Sequence, residues 1–361
     1  VVAGTHGKST TTAAAAHYLR DCSRSVGWFV GGVFADRLPA FSFTDTDRYF
    51  VIEGDEYDSA FFDKRAKFVH YRPGVLLLNN LEFDHADIYR DLADVQRSFR
   101  QVISLVPDNG SILYNGDDPN LQELLPVAWT SCLSFGEEKH NDFRIRREGA
   151  DGVSVHSRIE SIKDFRIRTT LRGGFNARNV AGAVLGARLL DPSLAEDGSV
   201  VDLSQFHGLK RRQEILFQGP DAILVEDFGH HPTAVKAALE SLREQYPDWT
   251  LHAMVEPRSN TMRTRILQEQ LIEALSVADR ISVAPIHRAD SVADTERLNL
   301  QEVEVALVEK GRGCRICSAM EDLPAAFADG LTGEKVVTVV FTNGAFGGLL
   351  PRFVGHLRDS R

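Results

Sequence analysis

The chain has 361 residues, of which 43% are hydrophobic and 25% are charged, and it carries a formal net charge of −10 at pH 7. This length predicts two domains and a sizeable core. The acidic balance argues against a general nucleic-acid binder, and no apolar run is long enough to span a membrane.

A glycine-rich loop opens the chain. Val1 and Val2 precede Gly4-Thr5-His6-Gly7-Lys8-Ser9-Thr10, and an alanine-rich, helix-compatible run to Arg20 follows. Such a loop points backbone N–H groups at a phosphate, and the helix N-terminus adds about half a positive charge. Lys8 would reach the outer phosphates of a nucleotide, and the Ser9 hydroxyl would bind Mg²⁺. The match to the general P-loop is partial, so a glycine-rich helix entry without a ligand is the alternative.

Two buried strands are predicted next, Tyr49–Ile52 and Val75–Leu78, and each runs into polar residues. Glu53 directly follows the first strand, and His85 comes soon after the second. Continuous apolar strands that alternate with helices indicate a parallel sheet, in which ligands bind at the carboxyl ends of the strands. We therefore expect Glu53 and His85 to converge on the loop lysine and serine. The alternatives are a solvated acidic turn for Glu53 and a structural histidine for His85.

Two further patterns complete the predicted fold. Within residues 143–171, the runs 153–155 and 165–169 alternate with period two, which indicates antiparallel hairpins, and Asn176 opens a helix through Leu190. Near Leu209 the alternation of strands and helices restarts. We predict an α/β protein with a central P-loop ATPase-like parallel sheet and an added antiparallel region over residues 1–209. A C-terminal Rossmann-like α/β domain over residues 210–361 would follow.

The start of the second domain carries two candidate nucleotide-binding residues. Arg212 belongs to a basic triplet at the suspected domain joint, where an arginine could clamp phosphate in a bidentate manner. Asp227 ends a predicted strand and could hold a ribose hydroxyl or pair with such an arginine. For the triplet, the alternative is an ordinary solvated face.

Four further residues are candidates for substrate binding. His230 and His231 follow the strand that ends at Asp227 and could line a cleft, although packing at a helix N-terminus is the alternative. Arg258 and Asn260 follow the next strand and could bind the carboxylate of a second substrate, with a structural ion pair as the alternative.

The four cysteines are too few for a disulfide scaffold and indicate a reduced, cytoplasmic protein. Cys314 and Cys317 form a lone C-x-x-C pair, which we interpret as packed thiols in preference to a zinc or redox site.

Six motifs occur in a fixed order along the chain: Gly4-Thr-His-Gly-Lys-Ser, Glu53-Gly-Asp-Glu-Tyr-Asp, Asn80-Leu-Glu-Phe-Asp-His, Asn176-x-x-Asn179, Arg211-Arg212 and Asp227-Phe-Gly-His-His-Pro. Together they resemble the Mur ligases of peptidoglycan synthesis. The resemblance implies an ATP-dependent, ADP-forming ligase that makes an amide bond through an acyl phosphate. It implies ATP and Mg²⁺ as cofactors and closure of the second domain over ATP.

The resemblance also implies roles for single residues. Catalytic roles fall to Lys8, Glu53 and His85, and Mg²⁺ binding to Ser9, Glu53 and His85. Nucleotide binding falls to Gly4, Thr5, His6, Gly7, Lys8, Ser9, Thr10, Asn179, Arg212 and Asp227. Substrate binding falls to Arg258, Asn260, His230 and His231.

A further set of motifs narrows the expected substrates. The aromatic and basic stretch 57–73, with 256–261 and 342–348, resembles the family members that act in peptidoglycan recycling. This implies that UDP-N-acetylmuramate is joined to the tripeptide L-alanyl-γ-D-glutamyl-meso-diaminopimelate. The alternatives are L-alanine as acceptor, a non-catalytic ATP-binding regulatory module, and a P-loop kinase. Since the family has an N-terminal UDP-binding domain, we expect such a domain before Val1. Without that domain, the 361 residues are expected to bind ATP but not to ligate.

Overall fold

The computed structural model describes residues 1–195, 199–333 and 335–359. They form two compact units, Val1–Lys210 and Arg211–Arg361. Which ligands each unit binds stays a prediction.

The first unit is built on a mixed sheet with the strand order β1-β7-β8-β9-β10-β11-β12-β13. Its strands are β1 (Val2–Ala3), β7 (Val75–Leu78), β8 (Ser111–Asn115), β9 (Ser131–Gly136), β10 (Phe143–Glu148), β11 (Gly152–Ser157), β12 (Phe165–Thr169) and β13 (Val200–Leu203). The helices of this unit are α1 (Lys8–Asp21), α2 (Leu92–Ser104), α3 (Pro119–Gln122) and α4 (Gly174–Leu190). Along this order, the neighbours from β1 through β7, β8 and β9 to β10 pair in parallel, as do β12 and β13, and β11 pairs antiparallel with both β10 and β12. The predicted parallel sheet with an added antiparallel region is confirmed.

Both faces of this sheet are buried at β7 and β8. Leu77 and Leu113 pack in the cluster that contains α1 and α4, whereas Leu76 and Ile112 pack in the cluster that contains α2. Neighbouring residues of a strand point to opposite faces, which explains why these strands are apolar without interruption. The alanines of α1 allow this helix to lie close to α4.

A separate small sheet was not predicted. It has the order β3-β2-β4, and a hairpin follows it in the chain. The strands are β2 (Val26–Phe29), β3 (Phe41–Ser42) and β4 (Tyr49–Ile52), and the hairpin is β5 (Asp58–Ala60) and β6 (Asp63–Ala66). We expected the strand at residues 49–52 to join the main sheet, and this was wrong. Beyond the end of this strand, Glu53 forms an isolated parallel bridge with Val2 of β1.

The second unit has the sheet order β14-β15-β19-β16-β17-β18. Its strands are β14 (Glu214–Gln218), β15 (Ala222–Asp227), β16 (Thr250–Val255), β17 (Arg280–Val283), β18 (Gly313–Ile316) and β19 (Val336–Phe341). Its helices are α5 (Pro232–Gln245), α6 (Gln268–Leu275), α7 (Leu300–Glu309), α8 (Leu323–Gly330) and α9 (Leu350–Asp359). Strand β14 is antiparallel to β15, and the other pairs are parallel.

Helices cover both faces of this second sheet. One cluster of buried side chains joins the strands to α5, α6 and α7, and the other joins them to α8 and α9. Phe327 and Phe353 stack across the second cluster with their ring centroids 4.1 Å apart. The predicted Rossmann-like α/β arrangement is confirmed.

The C-x-x-C cysteines lie at the edge of this sheet. Burial raises the pKa of the Cys314 thiol to about 12 and also raises the pKa of Cys317. Both thiols are therefore held in the protonated form. In the described part of the chain, no helix is both long enough and apolar enough to cross a membrane.

A buried histidine links three strands of the second sheet. His252 on β16 is 1% exposed. Its Nε2 lies 3.0 Å from Ser282 Oγ on β17, and its Nδ1 lies 3.4 Å from Thr338 Oγ1 on β19. Because burial disfavours the imidazolium ion, the pKa of His252 is lowered to about 4. The ring is therefore neutral near pH 7.

We expect acid to destabilise the second unit through His252. The unfolded chain binds this proton with the ordinary histidine pKa of about 6.5, whereas the folded chain resists protonation until about pH 4. The stability that the neutral His252 contributes is fully present above about pH 6.5, and about 3 kcal/mol of it is lost as the pH falls to about 4. Urea unfolding across this range measures the loss. A His252→Asn variant should lack that part of the pH dependence, and parallel profiles would contradict the prediction.

Gly330 lies against the same ring. A Cβ at Gly330 would lie 2.2 Å from ring atoms of His252, whereas a Cβ at Gly355 in α9 would meet nothing within 4 Å. Gly330→Ala should lower the free energy of unfolding by about 2–3 kcal/mol. Gly355→Ala should raise it by about 0.5–1 kcal/mol through its helix propensity. Urea unfolding of both variants checks this, and equal effects would refute it.

Candidate active site

The glycine loop has the backbone geometry that its sequence predicts. Gly7 stands directly before α1 with φ 80°, and Gly4 has φ 139°. A Cβ at Gly7 would lie 2.4 Å from Asn179 Oδ1. The Asn179 amide, predicted to bind nucleotide, therefore lies against the loop. The first N–H groups of a helix have no partner within the helix, and here they belong to the loop end and the first turn of α1.

The segment after β7 holds the loop from the side. His6 N donates to Asn80 Oδ1 at 2.7 Å, and Thr5 N donates to Asn80 O at 3.2 Å. Thr5 Oγ1 accepts from Glu82 N at 2.8 Å. Asn79 Nδ2 donates to Thr11 Oγ1 in α1 at 3.0 Å. No role was predicted for Asn79 or Asn80, although Asn80 opens one of the six motifs and two amides directly after a buried strand were the available signal.

Ser9 and Glu53 meet at the start of α1. Ser9 Oγ donates to Glu53 Oε1 at 3.0 Å, and Gly31 N donates to Glu53 Oε2 at 2.7 Å. A hydroxyl beside a carboxylate is a hard-oxygen donor set of the kind that Mg²⁺ prefers. These two side chains therefore fit the predicted metal. Thr10, the last residue of the motif, is buried in the first turn of α1.

Lys8 and His85 meet on a residue that was not predicted, Glu56. Lys8 Nζ lies 2.9 Å from Glu56 Oε1 and 2.8 Å from Oε2, and His85 Nε2 lies 3.0 Å from Oε1. Lys8 Nζ also donates to Gly4 O at 2.7 Å and to Thr5 O at 3.2 Å. The Glu56 side chain is 3% exposed. The available signal was its place in the acidic stretch after Glu53.

Lys8, Glu56 and His85 stabilise one another's charged forms. Burial opposes ionisation of Glu56, but Lys8 and His85 outweigh it and the pKa of Glu56 is lowered. Burial likewise opposes protonation of Lys8 and of His85, but Glu56 outweighs it and raises the pKa of both. Lys8 is thus a cation and Glu56 an anion near pH 7.

His85 is placed by several contacts. It adopts φ 56°, and its N–H donates to Asp84 Oδ1 at 2.7 Å. The ring of Tyr57 packs on it with a centroid distance of 4.5 Å. Because Nε2 is engaged by Glu56, the structure links His85 to Lys8 more directly than to Ser9 and Glu53. Its role as a Mg²⁺ ligand stays a prediction.

In the second unit, two neighbouring arginines differ in their surroundings. Arg211 Nε lies 2.7 Å from Glu226 Oε1, and its Nη2 donates to two carbonyl oxygens of the loop after β19. Arg212 is exposed, and its guanidinium lies 5.0 Å from the Phe228 ring centroid. Arg211 is thus fixed in the fold, whereas Arg212 presents its charge to solvent.

Asp227 is an internal anchor in this unit. Its carboxylate is buried and accepts from Gln213 N at 2.9 Å and from Gly229 N at 2.6 Å. Burial raises the pKa of Asp227. These two contacts hold the backbone at Gln213 and Gly229, the residues that directly follow Arg212 and Phe228. A role in nucleotide binding stays a prediction.

The two predicted histidines lie at the start of α5. The buried His231 caps this helix, with its Nδ1 3.3 Å from Thr233 N. His230 Nδ1 lies 3.0 Å from Phe228 O. His231 therefore packs at a helix N-terminus, which was the alternative to substrate binding. Substrate contact by either histidine stays a prediction.

Arg258 and Asn260 both have partners in the fold. Arg258 Nη1 lies 3.3 Å from Glu256 Oε1 and 3.2 Å from His287 Nδ1. Asn260 Oδ1 accepts from Arg263 Nη2 at 2.6 Å. The structural ion pair that was the alternative for Arg258 is present, and carboxylate binding stays a prediction.

Two family models match the chain. Residues 2–187 match the Mur ligase middle domain, and residues 211–345 match the glutamate ligase domain of Mur ligases. The chain belongs to the Mur ligase family. This confirms the resemblance inferred from the six motifs, and the loop, Ser9, Glu53, Glu56 and His85 all lie within the matched middle domain.

Individual Mur ligases resemble the chain over most of its length. The UDP-N-acetylmuramate–L-alanyl-γ-D-glutamyl-meso-2,6-diaminoheptandioate ligase of Escherichia coli K12 is 34% identical over 359 residues, which are 99% of this chain and 75% of that enzyme. The crystal structure of a murein peptide ligase from Psychrobacter arcticus 273-4 superposes with a TM-score of 0.69 at 29% identity, over 99% of this chain and 76% of that one. The UDP-N-acetylmuramate–L-alanine ligase of Chlorobium phaeobacteroides BS1 is 31% identical over 291 residues, 80% of this chain and 60% of that enzyme.

Proposed function

We propose that this Mur ligase joins L-alanyl-γ-D-glutamyl-meso-diaminopimelate to UDP-N-acetylmuramate in the cytoplasm, with ATP converted to ADP and phosphate. The observation that carries the proposal is the 34% identity to the E. coli enzyme of that name over 99% of the chain. Two L-alanine ligases are less similar to the chain, one 31% identical over 80% of it and the other 26% identical over 94% of it, which supports the tripeptide over the single amino acid.

The reaction needs two transfers. A carboxylate at neutral pH is a poor electrophile, so its oxygen first attacks the γ-phosphorus of ATP, and ADP leaves. The amine nitrogen of the tripeptide then attacks the acyl carbon, the amide bond forms, and phosphate and a proton leave. Catalysis of this kind depends mainly on positioning and on neutralising charge.

The chain's own residues match these demands. The N–H groups at the loop end and in the first turn of α1 would bind the phosphates together with Lys8, which would also neutralise charge on the transferred group. Ser9 and Glu53 would hold Mg²⁺, with His85 as a further candidate ligand. When bound, the ion would neutralise phosphate oxygens. Arg212 presents a charge that could bind phosphate, and Asn179 lies against the loop where nucleotide would bind.

The test is ADP formation by the full-length protein with ATP, Mg²⁺ and UDP-N-acetylmuramate. One arm supplies the tripeptide, a second supplies L-alanine, and a third supplies no acceptor. We expect ADP only in the first arm. ADP only with L-alanine would move the protein to the alternative acceptor, and ATP binding without ADP formation in any arm would indicate a regulatory module.

A further inference from the structure

Glu56 is the one carboxylate that contacts both Lys8 and His85 among the described ion pairs of the loop region. A single oxygen, Oε1, lies 2.9 Å from Lys8 Nζ and 3.0 Å from His85 Nε2. Two side chains that arrive from different parts of the sequence are therefore fixed to one point. None of the roles that the family resemblance implied falls on Glu56.

The contacts of Lys8 set a condition for phosphate binding. An ammonium group has three N–H donors, and Lys8 Nζ has three acceptor groups in this chain: Gly4 O, Thr5 O and the Glu56 carboxylate. A phosphate oxygen can accept a hydrogen bond from Lys8 only if it replaces one of these three acceptors. Glu56 is the anion among them, and it would also repel a bound triphosphate.

The main chain at Glu56 is held by a hydrogen bond from Tyr89. Tyr89 Oη donates to Glu56 O at 2.6 Å and lies 3.2 Å from Ser98 Oγ on α2. The Glu56 side chain is 3% exposed, compared with 12% for Lys8 and 19% for His85. The Glu56 carboxylate is therefore held in place, whereas the Lys8 ammonium group is closer to solvent and can move more easily.

We propose that Glu56 is a positioning residue of the ligase site, which orients Lys8 and His85 and competes with the outer phosphates of ATP for Lys8. This rests on the proposed function. Glu56 contacts no reacting atom: it acts through the lysine and the histidine. Its removal therefore affects ATP binding and turnover differently. ATP binds as tightly as before or more tightly, and turnover falls because the two side chains lose their common anchor.

The experiment compares wild type with Glu56→Gln and Glu56→Asp. Calorimetry with a non-hydrolysable ATP analogue and Mg²⁺ measures affinity, and ADP formation measures turnover. For Glu56→Gln we expect an affinity no weaker than wild type and a kcat lower by on the order of 100-fold. Glu56→Asp retains the charge on a shorter side chain, so part of the kcat should return.

Asp191→Asn is the matched control. Asp191 is a buried carboxylate directly after α4, and it pairs at 2.6 Å with Arg24, which follows the end of α1 opposite to the loop. This variant should lose stability while affinity and kcat stay unchanged. Weaker ATP binding by Glu56→Gln, or an unchanged kcat, would overturn the proposal.

The two proposals fail differently. If wild type forms no ADP with any acceptor, the proposed function fails, and the affinity of the analogue still decides the competition for Lys8. If wild type is active and Glu56→Gln matches it in both measurements, only the role of Glu56 fails.

Discussion

Lys8→Met is expected to lower the rate of ADP formation by about a thousandfold, because it removes the loop cation that would neutralise the transferred phosphate. The same change should destabilise the first unit. It leaves Glu56, 3% exposed, without its lysine and with His85 as the remaining partner. Breaking a buried ion pair from one side costs about 3–5 kcal/mol.

The double variant Lys8→Met/Glu56→Gln separates the two effects. A neutral amide in place of the carboxylate removes the buried charge that Lys8 had balanced, so most of the lost stability should return while activity stays low. Urea unfolding and ADP formation, measured on the single and double variants, form a complete cycle. Recovery of activity in the double variant, or no recovery of stability, would contradict this account of the pair.

Gly7→Ala is expected to abolish binding of an ATP analogue at concentrations that saturate wild type. Gly7 has φ 80°, and the new Cβ would lie 2.4 Å from Asn179 Oδ1. Left-handed strain and overlap together should lower the free energy of unfolding by about 3 kcal/mol. The displaced loop would no longer aim its N–H groups at phosphate.

Gly149→Ala is the control for this variant within the same unit. Gly149 has φ 64°, and a Cβ there would meet nothing within 4 Å. It should cost only the backbone strain, about 1 kcal/mol, with unchanged affinity for the analogue. Calorimetry and urea unfolding measure both quantities. Retained binding by Gly7→Ala would show that the overlap with Asn179 is relieved at no cost to the site.

The sequence predicts the members of the site better than their contacts. Ser9 and Glu53 were expected together and meet at 3.0 Å. Glu56 was not selected because the acidic stretch offers four carboxylates without distinguishing them. Their partners distinguish them only in three dimensions: Asp55 pairs with Lys67 and Asp58 with Lys64, both outside the loop cluster.

The fold shows the same limit. Apolar runs indicated where strands lie and that parallel sheets would bury both faces. They could not indicate that β4 pairs with β2, because the pairing partner of a short apolar strand depends on tertiary contacts. For Asp227, its place at the end of a strand indicated a site. Its two backbone donors, Gln213 N and Gly229 N, come from turns that no sequence pattern specifies.

The hydrogen bonds from Asn80 to the glycine loop have a thermodynamic consequence. The Thr5 and His6 amides are bound by protein acceptors, so the loop loses its conformational entropy when the domain folds and not when nucleotide arrives. Association with ATP should then carry little entropic penalty from loop ordering. Affinity for the nucleotide then depends on how well the folded chain holds the loop, and mutations at Asn80 should weaken nucleotide binding because they remove hydrogen bonds that hold it.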